Sequence, residues 1–121
     1  MASIFEVGAG KLVGPTGGGT VTQETNKSTA VTLNAESGQI TMKNSALAAG
    51  AEVSFTVNND KISATDVVVV NHGSAGTAGT YLVQANSIAA GSFKITVSNV
   101  STSSASEAIV LNFVALKGSD S

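Results

Sequence analysis

The chain is expected to be all-β: an antiparallel, jelly-roll-like β-sandwich of about eight strands with an extended N-terminal arm. Three observations predict this. Val53, Phe55 and Val57 alternate with Glu52, Ser54, Thr56 and Asn58, and Phe93, Ile95 and Val97 alternate with Lys94, Thr96 and Ser98. A period of two sends one set into a core and the other into water. Apolar runs then recur at short, even intervals from Thr20 onward, and the 121 residues leave room for one core.

Taken in order, the strands are predicted at 20–23, 28–34, 38–43, 52–58, 65–71, 79–86, 92–100 and 107–116. Turn-forming residues separate them: Glu36-Ser37-Gly38, Ala49-Gly50, Asn58-Asn59-Asp60, Gly73-Ser74-Ala75-Gly76, Ala90-Gly91 and the serine-rich stretch Ser101 to Ser106. Two segments echo each other. Leu47-Ala48-Ala49-Gly50 leads into the strand at 53–57, and Ile88-Ala89-Ala90-Gly91 leads into the strand at 93–97. In each, the aliphatic residue is expected to plug the end of the sandwich while the glycine permits the reversal. Phe55, Phe93 and Phe113 are assigned to the core.

Two strands break the alternation. Val67-Val68-Val69-Val70 and the run from Ile109 to Leu116 are apolar on both faces, so something must cover their outer sides. The expected cover is a second subunit, with Val68, Val70, Val110, Val114 and Leu116 as its contacts. The arm is the other candidate. Residues 1–19 hold six glycines and the single proline, yet also Ile4, Phe5, Val7, Leu12 and Val13. Apolar side chains on so glycine-rich a string predict a segment that orders when it meets a partner. The domain organisation expected is therefore an arm at 1–19, a sandwich at 20–118 and a disordered tail at 119–121.

Composition argues against reaction chemistry and toward a surface. Charged residues make up 12% of the chain, about half the usual share, and there is no cysteine. Six scattered lysines, no arginine and a net charge of −2 oppose nucleic-acid binding. No apolar run approaches the ~20 residues of a membrane span, and the N-terminus lacks the pattern of a secretory signal, so a soluble protein made in a reducing cytoplasm is expected.

The reactive side chains are few and scattered. The one histidine, His72, opens a glycine-rich loop next to Ser74 but has no orienting carboxylate in sequence, so it is read as a loop residue. Glu36, Glu52, Asp60, Asp66, Glu107 and Asp120 lack calcium-loop spacing and read as turn caps, with Asp60 and Asp66 the nearest pair. Gly8-Ala9-Gly10-Lys11 departs from the phosphate-loop pattern, with Phe5 and Leu12 where it needs Gly and Ser or Thr. With three of four phenylalanines in the core, Tyr81 is the only aromatic left to stack a sugar. No catalytic residue, metal or cofactor is assigned.

The stretch from Thr20 to Gly118 resembles a β-sandwich module of tailed-bacteriophage virion proteins. The resemblance runs through Thr22-Gln23, Lys27-Ser28-Thr29, Val31-Thr32-Leu33-Asn34, Ser37-Gly38-Gln39-Ile40-Thr41-Met42, Leu47-Ala48-Ala49-Gly50-Ala51, Val53 to Val57, Asp66 to Val70 and Ala108 to Phe113. It implies a non-catalytic structural protein and carries no catalytic residues with it. Similar modules belong to head proteins and to fibres. With only 19 residues before the sandwich and no shaft of repeats, a capsid decoration, or cement, protein is expected. Its partner is then the major capsid protein, its location the capsid surface and its assembly a homo-oligomer, favoured as a trimer, that touches neither nucleic acid nor membrane. The alternative is a tail-fibre or receptor-binding tip that contacts the host through loops such as 72–79 or 101–106.

Overall fold

The structure, a computed structural model, describes residues 18–118. Ten strands and no helix build it. They are β1 (Thr20–Thr22), β2 (Val31–Thr32), β3 (Ser37–Thr41), β4 (Ala46–Leu47), β5 (Glu52–Asn58), β6 (Val67–Ser74), β7 (Tyr81–Ala89), β8 (Ser92–Asn99), β9 (Ala105–Ser106) and β10 (Val110–Leu116). One four-stranded sheet has the order β1-β3-β10-β6 and the other β2-β5-β8-β7, while β4 and β9 form a two-stranded clip.

The two sheets share one core. Alternate residues of β5 and β8 turn Phe55, Val57, Phe93, Ile95 and Val97 inward to meet Ile40, Leu111, Phe113 and Ala115 from β3 and β10. Phe93 and Phe113 meet across the middle with ring centroids 5.5 Å apart. All three phenylalanines assigned to the core from sequence are buried. The echoed turns also behave as expected: Leu47 is buried, Ile88 packs against the core, and Gly50 and Gly91 adopt φ of +75° and +88°.

The sandwich holds, but its pairing is not wholly antiparallel. β1 runs parallel to β3, with Val21 beside Ile40, and β2 runs parallel to β5, with Val31 beside Val57. The strand expected at 28–34 shrinks to Val31–Thr32, because residues before it satisfy their backbone groups through side chains. Asn26 Oδ1 accepts from Ser28 N–H, and Gln23 Nε2 donates to the carbonyls of Lys27 and Thr29. Two short strands, β4 and β9, stand where only turns were expected, pairing Ala46 with Ser106 and Leu47 with Ala105. The strand predicted at 65–71 starts later and extends through Ser74.

Polar side chains that would be costly if unpaired hold the sandwich ends together. Lys27 is buried at 3% exposure and its ammonium donates to the carbonyls of Lys43, Ser45 and Glu107 at 2.5, 2.9 and 2.6 Å. Asn59 pairs both its amide groups with the backbone of Ala35. Asn99 donates to Leu47 and Ser103 carbonyls and accepts from Ser101. Each side chain bonds backbone from another strand or loop as a neighbouring strand would.

Candidate interaction surface

A run of identical valines carries no phase, so sequence alone cannot tell which of them face out. In β6 the structure packs Val68 and Val70 against the core and turns Val67 and Val69 to solvent, 56% and 48% exposed. The assignment of Val68 and Val70 to an exposed interface is corrected accordingly. In β10, Leu111, Phe113 and Ala115 are buried, leaving Val110, Val114 and Leu116 half-buried on the opposite side. Register brings the two outward sets together: Val114 lies beside Val69 and Leu116 beside Val67.

The outer face of the first sheet is thus built in rows. Ser37, Val114 and Val69 form one, and Gln39, Asn112 and Asn71 form the next. None of these side chains is charged. At the rim Asp66 and Lys117 neutralise each other through a 2.6 Å ion pair. Asn112 sits in the middle of the second row, and its Oδ1 is buried with no hydrogen-bond partner among the described residues. Ile4, Phe5, Val7, Leu12 and Val13, named for the arm, lie outside the described residues, as does the tail at 119–121.

At one end of the sandwich a second constellation gathers the single histidine and the single tyrosine. The Tyr81 hydroxyl donates to Glu107 Oε1 at 2.7 Å, and Thr77 donates to the same carboxylate through its N–H and its hydroxyl. The Tyr81 bond and the two from Thr77 hold the Glu107 carboxyl below the usual range. Burial, reinforced by the neighbouring carboxylate, pushes the Tyr81 phenol up to about 12. His72 stands edge-on to the Tyr81 ring, centroids 5.6 Å apart. An open groove of about 490 Å³ runs alongside, lined by hydroxyls of Thr77, Thr80, Ser101 and Ser103 and by Glu107. Both carboxylate oxygens of Glu107 are engaged, joining the loop after β6 and the start of β7 to the segment before β10. The cluster is a clasp that ties the two segments together.

Sequence reasoning missed this clasp because its members are about 30 residues apart in the chain and only the sandwich brings them together. Among the described residues no three carboxylate or histidine side chains converge on a metal-sized site. Compared with protein-family models, with curated proteins and with solved structures, the chain matches none.

Proposed function

We propose that the protein is a non-catalytic capsid decoration protein of a tailed phage, binding the outside of the assembled head and reinforcing contacts between coat subunits. The observation that carries this reading is the uncharged, partly apolar outer face around Val67, Val69, Val114 and Leu116, on a sandwich whose clustered polar groups are engaged with its own backbone and with one another. A solitary protein has little use for such a face. The resemblance to phage virion modules read from the sequence of residues 20–118 leads to the same expectation.

In this mechanism copies associate as a homo-oligomer, favoured as a trimer, and each N-terminal segment lays Ile4, Phe5, Val7, Leu12 and Val13 into grooves of the major capsid protein. Burying ~300–500 Å² of apolar surface per segment gives roughly 8–12 kcal/mol gross. Ordering a glycine-rich segment cancels much of it, so one copy binds modestly and the oligomer gains by avidity.

The test is to mix purified protein with matching capsids that lack it and to image them by cryo-EM. Regular density on the head lattice is the expected result. A chain without residues 2–17, which keeps the Gly19 carbonyl bound to Gln39 N–H, is expected to stay folded and leave the capsids bare. Density confined to the tail overturns the head assignment, and full decoration by the truncated chain overturns the role of the segment.

A further inference from the structure

The outer face of the first sheet carries one apolar patch. Val114 pairs with Val69 and Leu116 with Val67, so the four side chains stand together on the side away from the core. Val67 and Val69 are two of the four large hydrophobic residues exposed among the described residues. The rows beside them hold Ser37, Gln39, Asn112 and Asn71, and the rim pair Asp66–Lys117 cancels its own charge. A patch of this kind suits an apolar occupant without charge, since a buried charge here would find no partner.

The chain supplies such an occupant at the border of the patch. β1 runs parallel to β3 with Thr20 beside Gln39, so Gly18, the first described residue, falls beside Ser37 and extends the row Ser37–Val114–Val69. A Cβ at Gly18 would meet Ser37 Oγ at 3.7 Å, an ordinary contact, so packing does not demand glycine there. Gly18 is instead the middle of Gly17-Gly18-Gly19, a stretch whose backbone can turn back across the sheet. Ahead of it runs Leu12-Val13-Gly14-Pro15-Thr16, which holds no charged residue. Val13 lies five residues before Gly18, about 17 Å of extended chain, whereas the four strands span about 14 Å. The segment is long enough to cross from β1 to β6.

We propose that in the free protein the segment ahead of Gly18 folds back over this face and seats Leu12 and Val13 against Val67, Val69, Val114 and Leu116. The occupant is the chain's own segment because it is tethered a few residues from the patch. A tether that short gives an effective concentration on the order of millimolar, which a separate copy in dilute solution does not reach. The seat stands on this geometry alone. One consequence rests on the decoration reading: a capsid that takes Leu12 and Val13 uncovers the patch and frees it for a neighbouring copy. The apolar face is thereby kept from water until the head is reached.

The chain has no cysteine, so an introduced pair reports one contact. Full-length Val13→Cys/Val69→Cys is treated with a short bis-maleimide at low protein concentration. Val13→Cys/Lys94→Cys is the control, since Lys94 is exposed on β8 of the other sheet. Internally cross-linked monomer is expected from the first and not from the control. A second readout uses Lys11, which adjoins Leu12. Trypsin is expected to cut after Lys11 several-fold faster in Val69→Asp than in wild type, with circular dichroism unchanged, because the seat shelters that bond. Cross-linked dimers in place of monomers mean that a second copy fills the patch, and overturn the proposal. Unlinked protein with equal cutting at Lys11 also overturns it and leaves the capsid reading intact, since density on the head decides that. Bare capsids beside an internally cross-linked chain remove the capsid reading and leave the seat standing.

Discussion

The hydroxyl of Tyr81 and the carboxylate of Glu107 are joined at 2.7 Å, tying the start of β7 to the segment that leads into β10. Burial and the carboxylate both oppose ionisation of the phenol, whose pKa rises from 10 to about 12. A group protonated more tightly in the folded state stabilises it fully below the unfolded pKa near 10 and loses that contribution as pH rises toward 12. Because Tyr81 is the only tyrosine, absorbance at 295 nm reports it alone. The phenolate is expected to appear near pH 12 in the native protein, and Glu107→Gln moves the transition downward. Tyr81→Phe should cost about 1–2 kcal/mol in urea unfolding. Ionisation of native Tyr81 near pH 10 contradicts the clasp.

Lys27 makes the heaviest single polar commitment, three carbonyls on one buried ammonium. Desolvation lowers its pKa, with the Glu107 charge acting the other way. Lys27→Met keeps the stem but strips the loops after β3 and before β10 of their shared donor. Hydrogen bonds from a charged donor contribute about 1.5–3 kcal/mol each, and three part-buried carbonyls lose theirs together while water replaces part of it, so a loss of about 3 kcal/mol is expected. Lys27→Arg does not rescue it, since a planar fork cannot reach three carbonyls converging on one point. Equal urea midpoints for Lys27→Met and wild type contradict this role.

Acid should unfold the protein through its paired carboxylates. Asp66 is buried, which alone raises its pKa, but hydrogen bonds from Lys117, from Ser63 N–H and from Gly118 N–H outweigh this and lower it. Glu107 is lowered by Tyr81 and Thr77. A carboxylate with a depressed folded pKa contributes stability above its unfolded value near 4 and loses it as pH falls through the folded value. Stability is therefore expected flat from pH 7 to about 5 and falling below 4. Asp66→Asn should be less stable than wild type by about 2 kcal/mol at pH 7, with the gap narrowing toward pH 2. A gap independent of pH contradicts the assignment.

What the sequence made legible follows from what period two encodes. Alternation at Val53–Val57 and Phe93–Val97 fixed which residues meet in the core, and Gly50 and Gly91 marked their turns. The phase of Val67–Val70 was not legible, because four identical residues fit either face until pairing with β10 selects one. Parallel pairing of β1 and β2 was hidden as well, since alternation is the same whichever way a neighbour runs. Nothing in the sequence marked Gln23, Lys27, Asn59 and Asn99 for burial, yet they bond backbone up to 80 residues away, a relation that only the closed sandwich creates.

The register shift in β6 offers the sharpest steric test. Ser74 pairs with Val110 and His72 with Leu111, so Gly73 is the extra residue between them. A Cβ added at Gly73 runs into Asn112 Nδ2 and stands 2.7 Å from its Cγ, while Asn112 Oδ1 already lacks a partner among the described residues. Gly73→Ala therefore forces Asn112 out of its rotamer, at a cost of about 1–3 kcal/mol. Asn112→Ser removes both the obstructing amide and the orphaned oxygen. The double variant Gly73→Ala/Asn112→Ser is expected to recover most of the loss, giving a coupling of about 1 kcal/mol or more in a double-mutant cycle. Strict additivity of the two changes would show that Gly73 answers to backbone conformation rather than to the Asn112 side chain.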